Sequence, residues 1–369
     1  MKRQRILVVG AGIGGATAAY TLSRAGHDVD CIEIKPQPVM AGTGICLLHN
    51  TLSALRAIGL EAPCLEYGFP FQVFRQFTSA GEPVMNSPAP PACGIRRVDL
   101  ARVLETAAAD AGAKLRRGTS VAQLDNTPER VVATLNDGTK KEYDLVIAAD
   151  GAYSKTRAAV FGRECEARFA GQSVWRFNAR RPAEIDGFCL YRTPDGKRVV
   201  GSFPTSPNDC YIFYLENSSE HMHLPADSMD ALLRERLSEF RAPAIQEALA
   251  GVERPEQVVF RPLDITLVPR PWHRHRVALL GDAAHAPTPQ MTSGGGMAIE
   301  DAVVMAQCLE GAESMAEALE GYCERRFDRC KTIYDASLQL CLWEQEAVPN
   351  PPRSAELLLK TYQFLGQPY

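Results

Sequence analysis

The feature that most constrains the fold is a glycine-rich turn near the start of the chain. Residues 5–10 (RILVVG) form a short apolar run typical of a buried strand, and residues 13–26 carry alanine and leucine at helical spacing. A second strand-like run, HDVDCIEIKP, follows and stops at Pro36. Strand, glycine turn, helix and strand in this order predict the βαβ unit that begins a doubly wound sheet.

The glycines of this turn have the spacing of a dinucleotide-binding loop. Gly10, Gly12 and Gly15 satisfy G-x-G-x-x-G directly between the strand and the helix. The first glycine permits a tight turn, the second lets the backbone approach a pyrophosphate, and the third lets helix and strand pack closely. Glu33 ends the second strand, where a carboxylate can accept hydrogen bonds from an adenosine ribose and disfavours a 2′-phosphate. This motif alone leaves FAD and NAD as alternatives.

Composition argues against several classes of partner. The formal net charge of −4 gives no reason to expect nucleic acid or an anionic membrane. No apolar run approaches the roughly 20 residues that span a bilayer, and the chain starts without a signal-peptide pattern. The eleven cysteines are scattered without a C-x-x-C pair, which suggests neither a zinc ribbon nor a disulfide scaffold. We therefore expect a cytoplasmic protein without a membrane span, a nucleic-acid partner or a metal site.

The pattern changes twice along the chain. Between residues 165 and 265, short β-type runs such as SVWRFNA and CYIFYLE are broken by proline, glycine and asparagine. RVALLGDAAH then returns to the strand pattern of the first domain, and residues 297–310 and 315–345 have helical spacing. The first domain is therefore expected to be discontinuous, with a sheet-based insertion projecting over it.

Two further motifs accompany the N-terminal loop. A buried strand runs into Asp150-Gly151 in DLVIAADGAYSKTR, and a second glycine cluster opens a helix in GDAAHAPTPQMTSGGGMAIEDA, residues 281–302. In their order and spacing the three motifs resemble those of the class A flavoprotein monooxygenases, the family of para-hydroxybenzoate hydroxylase and salicylate hydroxylase. The resemblance implies an α/β fold with a Rossmann-like FAD-binding domain, an inserted mixed or antiparallel β-sheet substrate domain, and C-terminal helices.

The domain boundaries follow from this resemblance and from the changes of pattern. We predict an FAD-binding domain formed by residues 1–70, 95–160 and 270–345, and a substrate-binding sheet domain formed by residues 71–94 and 161–269. Residues 346–369 form a C-terminal segment. We expect a monomer or a homodimer.

The resemblance also implies FAD as the cofactor and gives roles to residues of each motif. Asp150 is similar to the residue that serves the FAD pyrophosphate region and the nicotinamide cofactor, with Arg157 as its partner. Asp282 resembles an aspartate that hydrogen-bonds a ribityl hydroxyl, Pro289 a proline whose carbonyl borders the flavin ring, and Arg97 an arginine that lies along the FAD. The expected cofactor-binding residues are Gly10, Gly12, Gly14, Gly15, Glu33, Arg97, Val121, Asp150, Arg157, Asp282, Pro289, Ser293, Gly294 and Gly295.

The chain departs from the family pattern in the second and third motifs. Ala148 stands where the family has a glycine, and Thr292, Ser293 and Gly296 stand where it commonly has Gly, Gln and Asn. Thr292 places a Cβ at a position where a glycine tolerates positive φ. We expect flavin binding to survive these changes, because the backbone amides at the start of the following helix stabilise negative charge on the reduced flavin.

The family's chemistry implies that NADH or NADPH and O2 are co-substrates. A C4a-hydroperoxyflavin would then hydroxylate a small, electron-rich aromatic or heteroaromatic compound. The chain has no second dinucleotide loop, and the resemblance implies that the nicotinamide cofactor docks only transiently against the flavin. The candidate catalytic residues are Pro289, Tyr211, Tyr214 and His49. Strand alternation in CYIFY places Tyr211 and Tyr214 on opposite faces, and the sequence does not say which face lines the pocket.

Two other functions remain open from the sequence. Another flavin oxidation on the same fold, such as epoxidation or dehydrogenation, shares the three motifs. A non-catalytic flavin-binding ligand carrier is favoured only by the altered Thr292-Ser293 segment.

Overall fold

Two large β-sheets and a group of long helices make up most of the protein. The computed structural model describes residues 2–37, 43–162 and 165–369. The strands are β1 (Arg5–Val9), β2 (Asp28–Glu33), β3 (Gly44–Leu47), β4 (Phe69–Thr78), β5 (Pro83–Arg96), β6 (Lys114–Arg117), β7 (Val121–Asn126), β8 (Val131–Leu135), β9 (Lys140–Tyr143), β10 (Leu145–Ala148), β11 (Arg168–Arg180), β12 (Phe188–Arg192), β13 (Val199–Pro204), β14 (Asp209–Asn217), β15 (Val258–Leu267), β16 (His273–Arg274) and β17 (Val277–Leu279). The α-helices are α1 (Ile13–Arg24), α2 (His49–Ala57), α3 (Glu61–Tyr67), α4 (Arg97–Asp110), α5 (Lys155–Phe161), α6 (Met229–Arg236), α7 (Pro243–Ala250), α8 (Asp282–His285), α9 (Gly294–Gly311), α10 (Met315–Glu344) and α11 (Pro351–Leu365). The predicted α/β fold class is confirmed.

The six-stranded sheet brings the three motifs to one edge. Its strand order is β16-β17-β10-β1-β2-β6, and β1, β2, β10 and β17 run parallel. Ile6, Leu7 and Val8 are fully buried, as expected for a strand covered on both faces. The loops that follow β1, β10 and β17 carry the first, second and third motif, and all leave the carboxyl ends of neighbouring strands. Ligands of open α/β sheets bind at this edge.

The eight-stranded sheet has two unlike faces. Its order is β15-β11-β14-β13-β12-β4-β5-β3. On one face, Trp175 and Phe177 join a core with residues of α6 and α7. On the other face, Val174 packs with Tyr334 of α10. Strand alternation therefore separates a core face from a face that turns toward the first sheet and α10.

Strands from before residue 95 complete the larger sheet. β4 pairs in parallel with β12, and β5 joins β4 to β3. Residues 71–94, expected in the substrate domain, thus lie in this sheet, and β3 extends it with residues from the predicted range 1–70. The domain boundaries themselves stay a prediction.

The C-terminal segment ends in a helix that the sequence analysis did not identify. Pro351 occupies the first turn of α11, and the Asn350 side chain accepts a hydrogen bond from the N–H of Arg353. At the other end of the helix, Arg329 donates to the carbonyls of Leu365, at 2.8 Å, and Gln367, at 3.2 Å. Within the described ranges, no helix is both long and apolar enough to cross a bilayer.

Candidate active site

The first glycine loop leaves the start of α1 open to a ligand. Gly10 has φ +99°, and a Cβ on Gly15 would lie 1.9 Å from the carbonyl oxygen of Gly10. Among the described residues, no atom lies within 4 Å of the position of a Cβ on Gly12. Gly12 is the N-cap residue of α1 and has no side chain to cap it, so the N–H groups of the first turn and the helix dipole present positive potential to this space. This arrangement fits a pyrophosphate.

Glu33 and Val121 border the same side of this loop. The Glu33 carboxylate accepts hydrogen bonds from the backbone N–H groups of Ala11 and Lys35, both at 3.0 Å. The Glu33 carbonyl accepts the N–H of Thr119 at 3.0 Å, which brings the chain leading to Val121 alongside β2. Glu33, expected at the adenosine ribose, and the strand that begins at Val121, an expected cofactor-binding residue, are therefore close to the first glycine loop.

Asp150 and Arg157 connect the second motif to the third. The Asp150 carboxylate accepts hydrogen bonds from Ser154 Oγ at 2.5 Å and from the Thr156 N–H at 3.1 Å. Arg157 is buried and donates to the carbonyl of Ala283 at 3.0 Å. These bonds fix the relative positions of the loops that follow β10 and β17.

Asp282 and Arg97 lie on the walls of a deep cleft. Both side chains are exposed to solvent, yet desolvation by the surrounding protein raises the pKa of Asp282 and lowers the pKa of Arg97. The charge of Arg176, on β11, also lowers the pKa of Arg97, so the larger sheet forms another wall. Among the described residues, neither arginine side chain has a hydrogen-bond or ion-pair partner. The cleft therefore presents unpaired positive charge to a ligand.

The segment after Pro289 turns sharply before α9. Pro289–Met291 form one 3-10 turn, and Thr292 follows with φ +53° and ψ +25°. A side chain in this left-handed conformation costs roughly 1–2 kcal/mol, because its Cβ crowds the backbone. The Thr292 side chain lies close enough to Tyr362 of α11 to oppose the rise that burial causes in the tyrosine pKa. The threonine thus adopts the positive φ that a glycine would tolerate, and it connects the loop to the C-terminal helix.

The start of α9 is a second open helix end. Ser293 does not cap it, because Ser293 Oγ donates to the carbonyl of Met291 at 2.6 Å. The N–H groups of Gly294 and Gly295 consequently face no capping side chain. A Cβ on Gly294 would lie 3.8 Å from Asp282 Oδ1, so the helix start and this carboxylate border the same space. Two open helix starts along one cleft fit a ligand such as FAD: the residues at the start of α1 would hold its pyrophosphate, and those at the start of α9 would hold its flavin.

The face of the larger sheet that borders the cleft is aromatic. The ring centroids of Phe203 and Tyr211 are 5.0 Å apart, and those of Tyr211 and Phe213 are 5.8 Å apart. Phe188 lies 5.7 Å from Phe203, and Cys46 of β3 belongs to the same cluster. Phe203 and Tyr211 are largely buried in this cluster, whereas Phe188 and Phe213 are partly exposed. The partly exposed rings offer a surface on which a planar ligand can stack.

Two of the predicted catalytic residues lie away from this aromatic face. Tyr214 points to the opposite side of the sheet, where its hydroxyl accepts a hydrogen bond from Arg198 Nε at 3.2 Å. His49 begins α2 and lies near the end of the chain, 3.5 Å from the position of a Cβ on Gly366. Burial lowers the pKa of His49. The structure brings Tyr211, but neither of these two residues, to the aromatic face.

A network of buried charges lies beneath the third motif. Arg326 donates to Asp301 at 2.7 Å and to Glu300 at 2.8 Å, and Arg329 donates to Glu300 at 2.8 Å. His285 Nε2 lies 2.6 Å from Asp301. Each charge thus has an opposite partner. We call this set the paired network: His285, Glu300, Asp301, Arg326 and Arg329.

The partners in the paired network determine its charge states. Burial alone would lower the pKa of His285, but Cys330 and Asp301 raise it well above the usual value. Burial alone would raise the pKa of Asp301, but His285 and Arg326 hold it well below the usual range. His285, Asp301 and Cys330 are close enough together to hold a metal ion. However, Arg326 already supplies positive charge to the Asp301 carboxylate through a hydrogen bond of 2.7 Å.

A second polar set lies between the larger sheet and the end of α10. Gln290 Nε2 donates to Gln172 Oε1 at 2.7 Å and to Glu344 Oε2 at 2.9 Å, and Gln172 Nε2 donates to Glu344 at 3.2 Å. The charge of Glu344 also acts on Arg192. We call these four residues the cleft cluster. The sequence analysis missed it, because its members come from separate elements and no local motif contains them.

Comparisons with known proteins agree with this geometry. Residues 3–337 match the family model described as FAD binding domain. The chain is 29% identical to the putative FAD-dependent monooxygenase YetM of Bacillus subtilis over 99% of this chain and 100% of that one. It is 30% identical to aurachin C monooxygenase/isomerase of Stigmatella aurantiaca over 92% of this chain and 90% of the relative. The structure of Klebsiella pneumoniae HpxO complexed with FAD and uric acid superimposes with a TM-score of 0.84 at 25% identity, covering 98% of this chain and 92% of that one.

These similarities confirm two expectations from the sequence. The chain belongs to the suspected flavoprotein family, and its cofactor is FAD. The roles of the individual site residues stay predictions.

Proposed function

The chain belongs to the FAD-dependent monooxygenase family, and from this premise we propose that it hydroxylates a small, electron-rich aromatic or heteroaromatic compound. The observation that carries the proposal is the aromatic face beside the flavin end of the cleft, where Tyr211 lies between Phe203 and Phe213. FAD supplies electron transfer and oxygen activation. In the overall reaction NADH or NADPH, a proton and O2 convert a ring C–H into C–OH, and NAD(P)+ and water leave.

Each wall of the cleft has its own task in this proposal. The N–H groups of the first glycine loop hold the pyrophosphate, and Glu33 binds the ribose. Asp282 binds the ribityl chain, and the N–H groups before and within the first turn of α9 stabilise negative charge on the flavin. Tyr211 and its aromatic neighbours stack the substrate and exclude water from the reacting ring. Pro289 borders the ring from the third motif.

The compounds on which two relatives act support a heteroaromatic substrate for this protein. One relative is a urate hydroxylase and another a 6-hydroxynicotinate 3-monooxygenase, and both names describe planar nitrogen heterocycles. We propose NADH or NADPH as a transient reductant, a cytoplasmic location, and a monomer or homodimer. None of the eleven cysteines forms a disulfide, which supports a reducing environment.

The purified FAD-bound protein tests this proposal directly. NADH and NADPH oxidation would be followed with a panel of hydroxylated benzenes, pyridines and purines, and products would be identified by mass spectrometry. The proposal expects one panel member to stimulate oxidation and to gain one oxygen atom. A product that has lost two hydrogen atoms would indicate dehydrogenation. An oxygenated alkene would indicate epoxidation, and tight binding without flavin reduction would indicate a ligand carrier.

A further inference from the structure

Arg192 is a positive charge without a partner at the cleft. Its neighbour Tyr191 points into the core, where its ring stacks on Phe77 at 5.0 Å, so strand alternation directs Arg192 to the cleft face. Within the described part of the chain, no side chain or carbonyl accepts a hydrogen bond from its guanidinium. Burial lowers the pKa of Arg192, whereas the charge of Glu344 opposes this effect. A desolvated guanidinium without an acceptor is costly in the absence of a ligand.

Glu344 presents one free carboxylate oxygen to the same cleft. Its Oε2 accepts both amide hydrogen bonds, from Gln290 at 2.9 Å and from Gln172 at 3.2 Å. Neither bond involves Oε1, and the side chain is exposed even though surrounding protein raises its pKa. The charges of Glu344 and Arg192 interact without forming an ion pair, so a gap separates the two groups. The cluster thus offers an acceptor and a donor on either side of a gap.

The two glutamines fix this arrangement. Gln290 Nε2 donates to two acceptors, which determines the orientation of its amide group. Gln290 directly follows Pro289, so the cluster adjoins the segment expected to border the flavin ring. In the larger sheet Phe213 pairs with Gly201, which in turn pairs with Leu190, two residues before Arg192 on the same face. A substrate ring stacked on Phe213 can therefore direct its edge toward Arg192 and Glu344.

We propose that Glu344 and Arg192 bind an N–H/C=O edge of a nitrogen-heteroaromatic substrate, with Glu344 as the proton acceptor. The ring N–H donates to Glu344 Oε1, and the adjacent carbonyl oxygen accepts from Arg192. As the new C–O bond forms, the N–H bond breaks, its electron pair enters the ring, and the proton moves to Glu344. The ring carbon then loses its C–H proton to solvent as aromaticity is restored, and Glu344 returns its proton to the ring nitrogen, so the net change is C–H to C–OH. Arg192 stabilises the negative charge that develops on the oxygen. This inference rests on the proposed monooxygenase function and specifies its substrate class.

Matched probes separate this subsite from general ring binding. 6-Hydroxynicotinate, as its pyridone, presents an N–H/C=O edge, whereas 4-hydroxybenzoate has the same shape with a ring C–H in place of the nitrogen. A second pair is 2-pyridone and phenol. Binding to the oxidised FAD-bound protein would be measured by calorimetry and by the change in flavin absorbance. The variants are Glu344→Gln and Arg192→Gln, and the matched controls are Glu346→Gln and Arg180→Gln, both on exposed residues.

In at least one pair, the wild type is expected to bind the pyridone about 10-fold more tightly than the matched phenol. This is the size of effect expected for hydrogen bonds to charged groups. Glu344→Gln and Arg192→Gln should each reduce this preference to less than about threefold, and the two controls should retain it. Equal binding within both pairs, binding of no probe, or loss of the preference in a control overturns the proposal.

The pH profile provides a readout that a structural role would not affect. In the wild type, kcat/KM for a pyridone substrate should fall as the pH decreases through the raised pKa of Glu344, because a protonated carboxyl cannot accept the proton. In Glu344→Gln this fall of kcat/KM at low pH should disappear. If the fall is unchanged in the variant, Glu344 is not the proton acceptor. If phenols are hydroxylated and pyridones are not, only this inference fails. If no aromatic compound stimulates NAD(P)H oxidation, the proposed function fails.

Discussion

The paired network and the cleft cluster both contact residues 281–301, but they differ in how their charges are balanced. In the paired network, Arg326 and Asp301 are fully buried and hydrogen-bonded to each other. In the cleft cluster, Arg192 has no hydrogen-bond partner among the described residues, and Glu344 keeps one oxygen free. A buried charge that is fully paired supports the scaffold, whereas an unpaired charge on a cleft wall is available to a ligand.

The largest expected effect comes from breaking the paired network. Arg326→Leu leaves Glu300 and Asp301 with uncompensated negative charge in the core and should lower the free energy of unfolding by about 3–5 kcal/mol. Urea unfolding followed by circular dichroism measures this loss. Arg325→Leu is the control, because Arg325 is exposed and bonds only at the surface. Equal unfolding free energies of Arg326→Leu and Arg325→Leu would contradict the stabilising role of the paired network.

The cleft should show the opposite behaviour, with weaker ligand binding and little loss of stability. Asp282→Ala removes a desolvated carboxylate proposed to bind the ribityl chain, so the dissociation constant of FAD should rise about 10- to 100-fold. The unfolding free energy of the FAD-free protein should change by less than about 0.5 kcal/mol. Fluorescence titration of the apoprotein with FAD measures the first quantity. A variant that binds FAD normally but unfolds more easily would place Asp282 with the scaffold.

Tyr211 and Tyr214 allow the same comparison between a ligand-binding face and a core face on the larger sheet. Tyr211→Leu removes a ring from the aromatic face and should raise the KM for the aromatic substrate about threefold to tenfold, the range expected for one aromatic contact. Tyr214→Leu removes a core ring from the opposite face, so the KM should stay unchanged while stability falls. Steady-state kinetics and thermal unfolding of both variants provide the test. A raised KM in Tyr214→Leu alone would reverse the assignment of the faces.

The smallest expected effect is on the pH dependence of stability. The folded pKa of Asp301 is below its ordinary value of 3.8, because His285 and Arg326 outweigh the effect of burial. The stabilisation that the Asp301 carboxylate gives the folded protein is therefore complete above pH 3.8 and is lost as the pH falls toward the folded pKa of Asp301. The pKa of His285 is raised, so its effect on stability has the opposite pH dependence. The stabilisation from protonated His285 is present below pH 6.5 and is lost as the pH rises through the folded pKa of this histidine.

Asp301→Asn should therefore be less stable than the wild type at neutral pH. Between pH 5 and pH 3 its free energy of unfolding should also fall less steeply than that of the wild type, and the two slopes should differ by under about 1 kcal/mol per pH unit. Urea unfolding at several pH values compares the two slopes, with Asp335→Asn as an exposed control. Parallel slopes in the wild type and Asp301→Asn would show that the pair does not titrate as described.

The sequence predicted the parts of the site that local patterns encode. Gly10, Asp150 and Asp282 each follow a parallel strand within a recognisable motif, so their meeting at one sheet edge could be expected. Alternation in β14 separated Tyr211 from Tyr214, but only the packing of α6 and α7 shows which face is the core. The cleft cluster and the Thr292–Tyr362 contact join elements far apart in sequence, and no local periodicity carries that information.

Oxygen-18 labelling shows directly whether the protein transfers an oxygen atom from O2 to an aromatic ring. The purified FAD-bound protein would be given NADH or NADPH, labelled O2 and the panel compound that most stimulates oxidation. We expect a hydroxylated product that contains one labelled oxygen atom, formed in a 1:1 ratio with the reduced nicotinamide consumed. An unlabelled product, or oxidation of NAD(P)H that yields only hydrogen peroxide with every panel compound, would contradict it.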